Sequence, residues 1–171
     1  MIASPDVTAL DVISERSEFT DKQIRSIKCL YKESLKRGYV GKRPDSYIES
    51  VIFLGYGNAL LDCRKRVLGF TVVRPLGMDP ETQEPILYGE CTLWRNKDEF
   101  WEPLRDILVH STRKWQAHDL YGAFYQTNSG ASGFHSTQEG FQRVPVGEVP
   151  GPIQKEVGHY DGIEVLHLTV H

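Results

Sequence analysis

Residues 86–95, ILYGECTLWR, running into NKDEFWEPLRDILVHS at 96–111, are the stretch on which the fold turns. The first ten are mostly apolar or strand-forming and predict a long central strand. After them the period changes, and Phe100, Leu104, Ile107, Leu108 and Ser111 fall along one face of a helix predicted over about 99 to 117. Pro103 limits where that helix can begin, because a proline beyond the first turn loses a backbone hydrogen bond and clashes with the turn before it. The junction has no glycine and carries Asp98, Glu99 and Glu102. Acids there cap the first free N–H groups and suit the positive end of the helix dipole.

Upstream, ALDVIS at 9–14 reads as a strand. Thr20 and Gln23 then form a T-x-x-Q capping box, with Phe19 before the cap and Ile24 inside it placed to close as a hydrophobic staple. Ile24, Ile27, Leu30, Tyr31 and Leu35 carry a helix over about 21–37, with Lys36 and Arg37 at its negative end and Gly38 as its left-handed stop. A second helix starts near Pro44 and Asp45 and ends at the glycines of GYG, 55–57. NALLDC at 58–63, the basic turn RKR and VLGFTVVRPL at 67–76 read as a hairpin, followed by a turn-rich loop, GMDPETQEP, at 77–85. Downstream, LYGAFYQT at 120–127 is a strand, 128–141 a loop with a short helical segment, FQRVPVGEV is extended, and IEVLHLTV at 163–170 is the last strand. Residues 145–162, rich in proline and glycine, read as a mobile connecting loop able to gate an acceptor. The order is β, α, α, β, β, β, α, β, α, β, β. It predicts a mixed α/β (α+β) class: a mixed central sheet flanked by helices in three layers.

Bulk properties narrow the function. A chain of 171 residues that is 40% hydrophobic fits one domain, 1–171. A net charge of −3 with mixed signs offers no broad basic face, so no nucleic-acid partner is expected, and RKR at 64–66 reads as a solvated turn. Three scattered cysteines, Cys29, Cys63 and Cys91, make neither a disulfide framework nor a zinc pair. No signal-like or membrane-length apolar run is present, so a cytoplasmic location without a membrane partner is expected.

Against this background the order of elements resembles the GNAT superfamily, the Gcn5-related N-acetyltransferases. RKRVLGFTVVRPL is similar to the family's second hairpin arm. ECTLWR lies where its central strand precedes the cofactor loop. YQTNSGASGFHSTQEGFQRVPV is similar to its strand, asparagine, short alanine-containing helix and Gly-Phe pattern, with Asn128, Ala131, Gly140 and Phe141 in matching places. The likeness covers roughly 9–170. It implies a three-layer acyl-CoA N-acyltransferase fold and transfer of an acetyl or other acyl group from coenzyme A to an amine of a small molecule or protein. A homodimer is a candidate assembly, and no metal is implied.

In that family an Arg/Gln-x-x-Gly-x-Gly/Ala turn offers backbone N–H groups to the pyrophosphate of coenzyme A, as helix starts do for anions generally. Here Arg95 keeps the first place, but Asp98 and Phe100 stand for the two small residues. The resemblance therefore implies a cofactor site made of Leu93, Trp94, Arg95, Lys97, Arg105 and Asn128, held differently from the family's pattern. The alternatives are a GNAT-fold binding or regulatory protein that has lost coenzyme A, and an acyltransferase using another donor.

For the chemistry, Glu90 shares a strand face with Tyr88 and Thr92 and is the candidate general base, directly or through water, although a lone acid on a strand also serves as a hydrogen-bonded structural residue. Ser136 stands where the family commonly places a tyrosine acid, with His135 beside it as the better proton donor. Cys91 points away from Glu90 and reads as a buried structural cysteine. His110, His118, His159, His167 and His171 have no zinc-protease spacing.

Overall fold

The computed structural model describes residues 11–95, 101–125 and 141–171. Its strands are β1 (Asp11–Ile13), β2 (Gly57–Leu61), β3 (Val67–Met78), β4 (Pro85–Trp94), β5 (Asp119–Tyr125), β6 (Phe141–Val144) and β7 (Ile163–Thr169). Its helices are α1 (Asp21–Lys36), α2 (Tyr47–Phe53), α3 (Trp101–Lys114) and α4 (Gly151–Val157). Among the described residues the strands form a seven-stranded sheet in the order β1-β2-β3-β4-β5-β7-β6. The sheet is mixed: β1–β2, β2–β3, β5–β7 and β6–β7 run antiparallel, and β4–β5 runs parallel. The predicted α+β class is therefore the observed one, with the predicted long strand, β4, at its centre.

The chain divides into two compact units, residues 1–72 with 91–111, and 73–90 with 112–171. Strands β3 and β4 each pass through both.

In the first unit α1 begins as its sequence dictates. The Thr20 hydroxyl accepts the Gln23 N–H at 3.2 Å, and Gln23 Oε1 accepts the Thr20 N–H at 2.9 Å. Gln23 does a second job, donating its amide N–H to the Lys65 carbonyl at 3.1 Å and so tying α1 to the β2–β3 turn. That turn is built on Asp62. Its Oδ1 accepts the Arg64 and Arg66 N–H groups, each at 2.9 Å, and its Oδ2 accepts Arg66 Nε at 2.7 Å. Ile27 and Leu30 of α1, Ile48, Val51 and Ile52 of α2, and Ala59, Leu61, Phe70, Val72, Cys91 and Leu93 of the strands form one buried core.

In the second unit the core joins Ile86 and Tyr88 of β4, Val165 of β7, and Val149, Ile153 and Val157. The last three correct the reading of 145–162 as a mobile loop. Residues Val146–Glu148 make a 3-10 turn and Gly151–Val157 make α4, which buries Ile153 completely. Pro152 near the helix start restrains φ for the first turn, and Ile153 and Val157, four apart, share the inward face. The abundance of proline and glycine had hidden a helix whose two ends they mark.

Helix α3 also stops earlier than the predicted Ala117. Gln116 takes a left-handed φ of 54°, and the Ala117 N–H turns back to the Thr112 carbonyl at 3.3 Å. Residues 128–140, where the short helix is expected, lie outside the described residues, as do Asp98 and Glu99.

Candidate functional site

Among the described residues the parallel β4–β5 ladder has three registered pairs: Leu87 with Leu120, Tyr88 with Tyr121, and Gly89 with Gly122. Beyond the last pair β5 stays in register with β7, through Ala123–Val165, Phe124–Glu164 and Tyr125–Ile163. The final β4–β5 pair consists of two glycines, so it carries no side chain on either face. A Cβ at Gly89 would lie 3.6 Å from the Tyr121 carbonyl oxygen, and one at Gly122 would lie 3.8 Å from the Gly89 oxygen, both ordinary contacts. Packing does not force glycine at either place. The bareness of the pair is a feature that the fold tolerates rather than requires.

Glu90 follows at once. Its side chain is only 5% exposed, and Oε1 accepts a hydrogen bond from Arg74 Nη2 at 2.9 Å. The same nitrogen donates to Glu156 Oε1 of α4 at 2.8 Å. A carboxylate this buried is costly unless it is paired. Arg74, from the neighbouring strand β3, provides the pairing. Tyr88 shares the Glu90 side of β4 and is buried in the core of the second unit. Nearby, Tyr121 stacks on His167 with ring centroids 4.6 Å apart and planes 7° apart, while His167 Nε2 lies 2.6 Å from Asp119 Oδ1. Burial, then the charges of Asp119 and Asp79, push the Tyr121 phenol above its ordinary range.

The end of β4 is held by β3 and α1. The Arg95 N–H donates to the Leu68 carbonyl at 3.0 Å, its Nε donates to the Val67 carbonyl at 3.1 Å, and its Nη2 donates to the Ser26 hydroxyl at 2.9 Å. Trp94 covers Gly69 so closely that a Cβ there would sit 2.1 Å from the indole. Leu93 is fully buried in the first unit's core, so only its backbone is available to a ligand. Thr92 is exposed, and its hydroxyl meets that of Thr71 at 3.3 Å. Arg105 lies half-buried on α3. Lys97, Asn128, His135 and Ser136 lie outside the described residues.

Thus Glu90, Leu93, Trp94 and Arg95 all stand on or just after β4, as their positions in the sequence required. The sequence reading did not find Arg74 or Glu156. Arg74 is 16 residues from Glu90 and Glu156 is 66, and only the β3–β4 pairing and the placement of α4 bring the three together. Cys91 is buried among the first unit's core residues, as expected for a structural cysteine. Among the described residues no group of three His, Cys, Asp or Glu could hold a metal ion, and no helix is long and apolar enough to cross a membrane.

No family model matches the chain, and no curated protein matches it either. Solved structures do. N-acetylglutamate synthase from Neisseria gonorrhoeae, in complex with coenzyme A and N-acetyl-glutamate, superposes with a TM-score of 0.68 at 14% identity over 95% of this chain. That match takes 35% of the synthase, so the present chain spans about a third of its length. A GNAT-family acetyltransferase from Staphylococcus aureus Mu50 matches with a TM-score of 0.66 at 11% identity, over 95% of this chain and 100% of that one. A chain of the NatC complex bound to Gag peptide and CoA gives 0.63 at 13%, over 95% and 99%. The chain has the GNAT fold.

Proposed function

We propose that this protein is an N-acyltransferase that moves an acetyl or other acyl group from a coenzyme A thioester to an amine of a small molecule or a protein, and that it works as a single domain. The observation that carries this reading is the β4–β5 ladder ending on the Gly89–Gly122 pair, in a fold shared with proteins solved with coenzyme A.

Glu90 is then the proton acceptor. The neutral amine nitrogen attacks the thioester carbonyl carbon; the nitrogen–carbon bond forms, and the carbon–sulfur bond breaks with its electron pair going to sulfur. The thiolate leaves with the sulfur's electron pair and takes up a proton, while the proton shed by nitrogen passes to Glu90, directly or through water. His135 or Ser136 is the proposed donor to the thiolate, and Asn128, Lys97 and Arg105 are proposed to hold the nucleotide end. Holding amine and thioester together supplies much of the rate gain in such a reaction.

Arg95 supports a weaker grip on the pyrophosphate than in the family's usual loop, because its guanidinium is already bonded to Val67 and Ser26. This favours either loose coenzyme A binding or a donor that presents its thioester on another carrier.

The test joins a thermal shift with thiol release. Acetyl-CoA is expected to raise the melting temperature in a saturable way, and the gain should grow as ligand exceeds its dissociation constant. Thiol release in the presence of an amine panel should fall at least a hundredfold in Glu90→Gln. Neither stabilisation nor thiol release with any acyl-CoA thioester would overturn the reading.

A further inference from the structure

Charge is unevenly spread along this chain. Residues 22–43 hold eight of its 20 Lys and Arg and one of its 23 acids, leaving 12 against 22 elsewhere. In α1 the imbalance becomes a line. Gln23, Ile27 and Leu30 face the core, while Lys22, Arg25, Cys29, Lys32 and Lys36, spaced three or four apart on the other side, are all exposed. The four cations run along about 21 Å of helix. Among the described residues none of the four has an ion-pair partner; Lys28, beside the line, is paired with Glu49.

Such a line works against the helix that carries it. Lys22 with Arg25 and Lys32 with Lys36 are like charges on adjacent turns, and Lys22 lies at the positive end of the helix dipole. The capping box and the buried face form α1 whatever polar residues stand in these four places. Arg95 adds a fifth cation. Its guanidinium bonds go to neutral oxygens, the Ser26 hydroxyl and the Val67 carbonyl, so its charge is not neutralised. Ser26 is next to Arg25 and one turn from Lys22, and Arg95 follows β4, so the line starts beside the strand that carries Glu90.

The shape of the charge selects the partner. A nucleic acid is attracted by a broad basic face, and the acidic balance of the rest of this chain opposes one. A protein helix with carboxylates on successive turns has the same length and spacing and the opposite sign. Asp98 and Phe100, in place of the two small residues of the GNAT pattern, give the nucleotide end of coenzyme A a poor grip. A carrier protein holds its acyl group on the same pantetheine arm, with a protein surface where coenzyme A has its nucleotide.

We propose that the exposed face of α1, through Lys22, Arg25, Lys32 and Lys36 together with Arg95, docks an acidic carrier protein that delivers the acyl group as a phosphopantetheine thioester. This rests on the acyltransferase reading and names its donor. The amine nitrogen bonds to the acyl carbon, and the carbon–sulfur bond to the carrier breaks with its electron pair on sulfur. Glu90 takes the nitrogen's proton, the thiolate is protonated by His135 or Ser136, and the carrier leaves with a free thiol.

The probe is an acidic acyl carrier protein in its acetyl-phosphopantetheine form, dye-labelled for anisotropy, with acetyl-CoA as the comparison. The wild type should bind it, with affinity falling about tenfold between about 50 and about 300 mM salt as the charges are screened. Lys22→Glu, Arg25→Glu, Lys32→Glu and Lys36→Glu together should lower affinity and kcat/KM for the acetylated carrier by about tenfold or more, with kcat/KM for acetyl-CoA and the melting temperature unchanged. The milder pair Lys22→Gln and Arg25→Gln should give a severalfold loss and serves if the fourfold variant does not fold. Lys155→Glu, an exposed charge on α4, should change neither donor. Equal carrier binding by the wild type and the reversed variant overturns the proposal, as does a wild type that releases thiol from acetyl-CoA and binds no carrier. RNA bound as tightly as the carrier also overturns it, and so does a wild-type dimer that the reversed variant dissolves, which would give the face to a second copy. Carrier binding that is lost on reversal, in a protein that releases thiol from neither donor with any amine, upholds the docking face and overturns the acyltransferase reading instead.

Discussion

Asp62 shows how one residue can hold a turn and carry a pH dependence with it. Burial pushes its carboxyl up, but the N–H groups of Arg66 and Arg64 and the Arg66 guanidinium together outweigh that and hold it below the ordinary aspartate value. A depressed value in the folded chain contributes stability that is complete above the unfolded value, about 3.9, and is lost as pH falls through the folded one. Asp62→Asn keeps Oδ1 for the two N–H groups and removes the charge. Its denaturation midpoint is expected to fall relative to wild type at pH 7, with the gap closing below about pH 4; a gap of equal size at pH 3 would show that the charge is not the cause. This residue was legible in part, since a basic turn was expected at RKR, but the aspartate before it was not recognised as the group that organises it. Glu90 was legible for the opposite reason: strand alternation fixes its face without knowledge of any partner. Its partners were not, because Arg74 and Glu156 are neighbours only in space.

Among the elements, α1 and α4 mark the two extremes of what local sequence conveys. The start of α1 is written into four consecutive residues, Thr20 to Gln23, whose side chains and backbone satisfy one another. Helix α4 has no such cap: Pro150 occupies the capping position and offers no side-chain bond. It is held instead by Ile153 and Val157 in the core, a tertiary cause that a proline-rich stretch conceals. Ile153→Ala should therefore cost about 2–5 kcal/mol, the range for deleting a fully buried aliphatic side chain, measured by urea unfolding. A loss under about 1 kcal/mol would mean that α4 is not part of the cooperative core. The β4–β5 ladder makes a different prediction. Because a Cβ at Gly122 meets only ordinary contacts, Gly122→Ala should fold with unchanged or slightly raised stability while thioester affinity falls severalfold, read by calorimetric titration. Unchanged affinity would remove the glycine pair from the donor site.

At the scale of the whole molecule, the fold was more legible than the site because a fold is carried by the order of many elements, each signalled weakly but independently. The site depends on a few side chains brought together by crossings that no local pattern encodes. The division into two units was not legible at all, since its boundaries fall inside β3 and β4, where periodicity is unbroken. Each unit draws on two separate stretches of chain. A fragment of residues 1–72 lacks Cys91 and Leu93 of its own core, and is expected to show no cooperative thermal transition by circular dichroism, whereas 1–111 should recover part of one. A cooperative transition in 1–72 would show that the later residues are dispensable.

The same interleaving governs the order of events at the ribosome. The segment 73–90 emerges before 91–111 can finish the first core, and must then wait for the chain beyond 112 to supply β5 and β7. Through most of its synthesis, at about 5–20 residues per second, the nascent chain carries unpaired strand edges and an unfinished apolar surface. Translation pauses or chaperone supply late in the message should therefore bear on the yield of this protein more than the intrinsic stability of its finished form.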